Sequence, residues 1–285
     1  MRATSGHQSK DDSSMSFNQV EISDDEGRPI FLYSFTLGAA VWRYTSSDAD
    51  VNYGGYRWEA VSISDNGVKQ TGDANTDTLE ITAPSTIAPT QLFIGTPPSA
   101  LIIVRIFYYH EADNEAVLGY MGELMQVNLP EPGKAVLTCD AINASMQRDG
   151  LRLSWQRNCP YALYDPHTCR ADKDDHVIEM TIYDVQANIV VLDGASLTDG
   201  VLDGGFLEWE HPSRGTEFRA VERQLANTVE MFGLGDGLYY GLKVKAYPGC
   251  KRTTADCASK FNNLVNYGGI PDLPGKSPFD GDPVF

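Results

Sequence analysis

Four of the five cysteines in this chain of 285 residues fall into two pairs. Nine residues separate Cys159 from Cys169, six separate Cys250 from Cys257, and 80 lie between the pairs. Thiolates bind soft and borderline metals, and four of them form the usual ligand set of both structural zinc and iron–sulfur clusters. Bringing the pairs together costs little more than closing a short loop, because loop entropy grows only logarithmically with length. Zinc knuckles commonly separate their cysteines by about two to four residues, so the spacings here are wide for zinc without excluding it. Two local disulfides, Cys159–Cys169 and Cys250–Cys257, are a third reading, and four unrelated buried thiols a fourth. Cys139 lies in the strand-like Val136-Leu-Thr-Cys-Asp140 and reads as a core residue. His167, two residues before Cys169, could substitute as a ligand or be an ordinary loop histidine.

Each paired cysteine stands where a ligand can be presented. Cys159 precedes Pro160, Cys169 follows Asp165-Pro-His-Thr168, and Cys250 follows Pro248-Gly249, so all three belong to turns or loops. A short helix is expected from Ala255 to Val265, with Thr254 as its N-cap and Gly268-Gly269 past its end. Cys257 then falls at about its third residue, where free amides and the helix dipole favour a thiolate. Arg157, Arg170, Lys243, Lys245, Lys251, Arg252 and Lys260 are near the pairs in sequence. They either balance an anionic site or form a solvated surface.

The elements that must position these residues read as mainly β. Phe31–Leu37, Ala40–Tyr44, Arg57–Ile63, Thr78–Thr82 and Leu101–Tyr109 carry β-branched and aromatic residues, several in period two. Thr78–Thr82 is expected to stop at Ala83-Pro84, and Leu118–Leu129 and Ala135–Ala141 to pair across Pro130-Glu-Pro-Gly133. Residues 217–231 fit either a helix or two strands about Leu225-Ala-Asn227. Gly233–Gly237 reads as a hairpin turn leading into a strand, Leu238–Tyr247. The expected fold is two β-barrel or sandwich-like domains, a small irregular cysteine-rich segment and a short C-terminal helix. The division is a disordered leader (1–16), an N-terminal β domain (17–150), a cysteine-containing connector (151–178), a second β domain (179–248) and a C-terminal cysteine segment with an extended arm (249–285). Asp203-Gly-Gly-Phe-Leu-Glu-Trp209 faintly echoes Tyr53-Gly-Gly-Tyr-Arg-Trp58, which raises the possibility of a duplicated β domain. Met15 is a possible alternative start.

The net charge of −17 is distributed along the chain. Residues 1–150 hold 9 Lys and Arg against 20 Asp and Glu, and residues 151–285 hold 13 against 19, giving −11 and −6. Such a surface repels phosphate, so gripping nucleic acid is not expected, although DNA could slide past it. No stretch approaches the roughly 18 apolar residues of a membrane span, and the N-terminus has no apolar core of a signal peptide. Synthesis in the cytosol is expected, where spaced cysteines more often bind metal than form disulfides.

No catalytic constellation stands out. The chain has no G-x-S-x-G, no H-E-x-x-H and no phosphate-binding loop, and the reading is non-enzymatic. Glu208, Glu210 and His211 read as a solvated edge rather than an acid/base set, and the sequon Asn143-Ala-Ser145 means little without secretion. A redox enzyme would need a second cofactor site. A cysteine peptidase would need a free cysteine beside a histidine, and Cys139 is the spare one.

Two longer runs carry a resemblance. Asn158-Cys-Pro-Tyr-Ala-Leu-Tyr164 followed by Cys169, and Pro248-Gly-Cys-Lys-Arg-Thr-Thr-Ala-Asp-Cys-Ala-Ser-Lys-Phe261 with Asn262-Asn-Leu-Val-Asn-Tyr-Gly-Gly-Ile-Pro271, resemble the C-terminal segment of siphophage and gene transfer agent tail hub proteins. The resembled family extends, more distantly, to phage lambda's minor tail protein L. The resemblance implies a homotrimeric ring in the tail of a virion, between a distal tail or tail-tube protein and a central tip or receptor-binding protein, with DNA passing through. It also implies an iron–sulfur cluster of the [4Fe–4S] type, with Cys159, Cys169, Cys250 and Cys257 matching the ligand positions one by one. Where the family often has a Gly-Cys-Gly step, this chain has Thr168-Cys-Arg170. Acidic residues are expected to line the channel, with Asp24-Asp-Glu26 and Asp48–Asp50 as first candidates.

Overall fold

The computed structural model describes residues 30–68, 78–110, 114–142, 153–194 and 196–274. The expected leader, Asp24-Asp-Glu26, the sequon at 143–145 and the arm beyond residue 274 lie outside them. The described residues form two compact units, one within 1–93 and 101–147, the other within 94–100 and 148–285. Both are built of strands, as the period-two patterns imply.

In the first unit β1 (Ile30–Leu37), β2 (Ala40–Thr45), β3 (Val51–Tyr53), β4 (Tyr56–Ala60), β5 (Ser64–Asp65), β6 (Leu79–Pro84), β7 (Ile102–His110), β8 (Glu115–Glu131) and β9 (Lys134–Ala141) share one sheet. Their order is β3-β4-β2-β1-β7-β8-β9-β6-β5. A one-turn helix, α1 (Ala88–Gln91), follows β6. Alternation sends Leu79 and Ile81 of β6, Ile102, Val104 and Ile106 of β7, and Leu137 and Cys139 of β9 into one core. Leu32, Val51, Trp58 and Tyr109 form a smaller second cluster. Cys139, paired in register with Leu79 and Leu124, has no exposed surface. Burial, with the nearby Asp140 charge adding to it, pushes its thiol up to about 12. β6 does not stop before Ala83-Pro84 but ends on them, with Pro84 opposite Lys134, a strand-end position where a proline is tolerated.

In the second unit β10 (Ile178–Gln186), β11 (Ile189–Asp193), β12 (Phe206–His211), β13 (Gly215–Leu225), β14 (Thr228–Met231) and β15 (Lys243–Tyr247) close into a barrel in the order β10-β11-β14-β13-β12-β15. The ambiguous stretch 217–231 is two strands joined through Ala226 and Asn227. Val221, Val229 and Met231 face the core, while Phe218 and Phe232 face out. Gly233–Gly237 is not a hairpin turn, because β15 pairs with β10 and β12 and not with β14. That strand starts at Lys243 rather than Leu238. The two Gly-Gly echoes each lead into a strand with a buried tryptophan, Trp58 and Trp209, but the strand orders around them differ and show no duplicated topology.

One feature of the second unit crosses the chain order. Ile94–Ala100 belongs to this unit although residues of the first flank it in sequence. Ser99 holds it there, donating its hydroxyl to Glu217 at 2.8 Å, while Arg219 pairs with Glu217 at 3.0 Å and donates to the Pro97 carbonyl at 2.9 Å. Arg214 donates to the Thr96 carbonyl at 3.1 Å and pairs with Asp236 at 2.7 Å.

The C-terminal helix is shorter than its sequence pattern suggests. α2 spans Thr254–Ser259 and is capped by Thr253, whose hydroxyl accepts from the Asp256 amide at 3.2 Å. The expected cap, Thr254, is its first helical residue, and Cys257 is its fourth. Beyond it, Asn262 is left-handed (φ 46°) and a 3-10 turn covers Leu264–Asn266, so no helix continues to Val265.

Candidate metal centre

The fold brings Cys159, Cys169, Cys250 and Cys257 to the wall of one cavity of about 60 Å³. All five cysteines are free thiols, which corrects the reading of two local disulfides. Among the described residues, no three His, Cys, Asp or Glu side chains are grouped tightly enough to hold a single metal ion. The shared cavity and this looser grouping disagree about one small ion. Tetrahedral zinc with sulfur bonds of about 2.3 Å needs its four sulfurs within roughly 3.8 Å of one another. Four thiolates are also the ligand set of iron–sulfur clusters, in which the sulfurs are shared among several irons and need not close on a single ion.

Backbone hydrogen bonds tie the two cysteine segments together. The Cys159 amide donates to the Arg252 carbonyl at 2.9 Å, and the Ile270 amide to the Gln156 carbonyl at 2.9 Å. The Tyr267 hydroxyl donates to the Arg157 carbonyl at 2.8 Å and lies 3.2 Å from that of Arg252. Asp165 shapes the first loop by accepting from both the amide and the hydroxyl of Thr168. Around the sulfurs, the Arg252 amide donates to Cys250 Sγ at 3.3 Å, and the Cys257 thiol donates to the Asn263 carbonyl at 3.2 Å.

Two glycines are explained by close approach. A Cβ on Gly249, just before Cys250, would stand 1.9 Å from the Asp203 carbonyl oxygen. One on Gly268 would stand 2.4 Å from the Tyr161 ring. Four non-glycine residues around the site have left-handed backbone: Tyr164, Arg170, Arg252 and Asn262. Arg170 is left-handed at φ 59°, a conformation that costs a non-glycine residue roughly 1–2 kcal/mol. Strained residues gather at sites that the surrounding structure over-determines.

Burial pushes the thiols of Cys250 and Cys257 above the ordinary range, and the neighbouring thiols push them further. The Tyr267 hydroxyl is raised by burial and then by the thiols of Cys159 and Cys257. Lys260, lowered by burial, donates to the carbonyls of Val201 at 2.9 Å and Gly249 at 2.7 Å, which sets its charge beside the Cys250 loop. Arg252 also lines the cavity, whereas Lys243 and Lys245 line a separate groove with Glu208.

Other sequence candidates do not join the site. His167 is exposed and not part of the cavity wall. Glu208 accepts from Lys173 at 3.2 Å, and the Glu210 carboxylate accepts from Thr216 at 2.7 Å. His211 instead accepts from the Ser213 amide at 3.2 Å. Buried Cys139 has no access for a peptide substrate. Sequence reasoning passed over Asn263, Tyr164 and Tyr267 as working residues, and only their place inside the two quoted runs pointed to them.

A family model described as phage conserved hypothetical protein BR0599 matches residues 200–277, which include Cys250 and Cys257 but not the first pair. An uncharacterized protein of Xylella fastidiosa (strain 9a5c) is 33% identical over 75 residues. That match covers 26% of this chain and 16% of the relative's length. Among solved structures, a chain of the virion of a native gene transfer agent particle shares the fold, with a TM-score of 0.77 at 22% identity. The alignment covers 94% of this chain and 96% of that one.

Proposed function

We propose that this chain is a structural, non-catalytic protein of a phage or phage-like tail. It acts as a hub at the tail tip, and Cys159, Cys169, Cys250 and Cys257 hold a structural iron–sulfur cluster, probed first as [4Fe–4S]. The observation that carries the tail reading is the fold match along 94% of the chain to a component of a gene transfer agent virion. The phage family model over residues 200–277 supports it. Support for the cluster comes from four free thiols on segments 80 residues apart that line one cavity. When bound, the cluster supplies cross-links between the two cysteine segments and so contributes to folding of the second unit. The chain's own residues present the thiols: Thr253 caps α2, Gly249 lets the Cys250 loop press against Asp203, and Asp165 forms the turn before Cys169.

In this reading three copies form a ring, with a distal tail or tail-tube protein on one side and a central tip or receptor-binding protein on the other. DNA passes through without specific binding, in keeping with the net charge of −17. The assembly test is imaging of a particle that carries this chain. Three copies in a ring at the tail end are expected; six copies in that ring, or none in the tail, overturns the assignment.

A further inference from the structure

Asn263 touches both cysteine pairs. Its side-chain amide donates to the Cys169 carbonyl at 2.6 Å and lies 3.8 Å from Cys169 Sγ. Its backbone amide donates to the Cys257 carbonyl at 2.9 Å, and its carbonyl accepts the Cys257 thiol at 3.2 Å. Asn263 is 8% exposed, so little water is available to replace these partners. Asn266 donates to Asn263 Oδ1 at 2.6 Å, which fixes the amide with its NH₂ toward Cys169. The left-handed Asn262 turns the chain off α2 so that the next residue can reach back to both pairs. No other side chain bonds directly to residues of both pairs among the hydrogen bonds described above.

We propose that Asn263 is the positioning residue of this site: it sets Cys169 of the first pair against Cys257 of the second. It is not itself a ligand. The proposal rests on the cluster reading for what the site holds, but its geometric content concerns thiols alone and can be read without metal. The conservative change Asn263→Asp keeps size and shape and removes the donor. It places a carboxylate oxygen against the Cys169 carbonyl, and the loop carrying Cys169 must then move away.

The experiment uses the full chain, purified anaerobically as wild type, Asn263→Asp and Asn266→Asp. The second variant leaves Asn263 in place but sets a carboxylate against its Oδ1, so the amide loses the bond that orients it, and this variant serves if the first does not fold. Barrel integrity is checked by circular dichroism. In metal-free protein, a short bis-alkylating thiol reagent joins neighbouring cysteines and mass spectrometry maps the links. Wild type should link Cys169 to Cys250 or Cys257. Asn263→Asp should lower that yield several-fold with the Cys250–Cys257 link unchanged, and Asn266→Asp should lower it less. Unchanged links from Cys169 in folded Asn263→Asp, or in Asn266→Asp where only that variant folds, overturn the proposal. Iron and sulfide are assayed in parallel on reconstituted protein, and Asn263→Asp should retain several-fold less of both. If wild type binds neither while the linking pattern behaves as described, the cluster reading fails and the positioning role stands.

Discussion

Tyr164 donates its hydroxyl proton to the carbonyl of Pro248 at 2.8 Å, across 84 positions of sequence. This one bond fastens the loop between Cys159 and Cys169 to the turn that delivers Cys250. The ring also packs against Phe206, Tyr247 and Phe261 at centroid distances of 5.9–6.2 Å. Tyr164→Phe should keep the packing and lose the bond, costing about 1 kcal/mol. Thermal melting should show a drop of roughly 2–4 °C. Tyr164→Ala should cost about 3–5 kcal/mol.

Gly249→Ala and Arg170→Gly should behave in opposite ways. The first puts a Cβ 1.9 Å from the Asp203 carbonyl oxygen and 2.4 Å from the Gly205 nitrogen, both backbone atoms that cannot swing aside. A loss of about 3 kcal/mol or more is expected in urea unfolding. Arg170→Gly relieves a left-handed side chain at the expense of a floppier unfolded chain, and should stay within about 1 kcal/mol of wild type.

Glu217→Gln should destabilise the second unit by about 3–5 kcal/mol. Glu217 is 1% exposed, and its carboxylate both receives the Ser99 hydroxyl and neutralises Arg219. Its loss strands a buried guanidinium. Protease cleavage within Ile94–Ala100, mapped by mass spectrometry, should accelerate in the variant if the segment is released.

Stability should fall as the pH rises from about 9 toward 12, and Cys139 contributes to that fall. Its folded value, pushed up to about 12, lies above the ordinary 9.0, so the unfolded chain loses this proton first. Above pH 9 the folded state therefore binds more protons than the unfolded one, and stability declines with pH. Cys139→Ala should flatten this decline in denaturant titrations between pH 8 and about 11. At neutral pH the same substitution should cost only a small cavity.

Much of this was legible in the sequence where neighbours in the chain decide the structure. Leu79, Ile81 and Ala83 alternate in sequence and alternate in burial. The cysteine spacing alone left metal, disulfides and unrelated thiols open; what the structure adds is that Cys159, Cys169, Cys250 and Cys257 line one cavity. What could not be read depends on distant partners. Glu217 and Arg219 are buried while Phe218 between them is 51% exposed, the reverse of their polarity, because Ser99 and Pro97 arrive from more than 110 positions away to receive them. The helix limits failed for a local reason. Thr253 and Thr254 are equally good caps by type, and the choice rests on extended backbone at Thr253 (ψ 159°). α2 ends at Ser259, and the chain beyond it turns at left-handed Asn262, a conformation with no periodic signature.

The most direct measurement of the central claim is iron and acid-labile sulfide per chain in anaerobically purified wild type, beside Cys→Ser variants at positions 159, 169, 250, 257 and 139. The account predicts a brown protein carrying both elements. Each of the four site variants should lose the cluster together with stability of the second unit, while Cys139→Ser keeps it. A colourless wild-type protein with bound zinc and no sulfide contradicts the cluster, and full iron content in every single site variant contradicts the four-cysteine site.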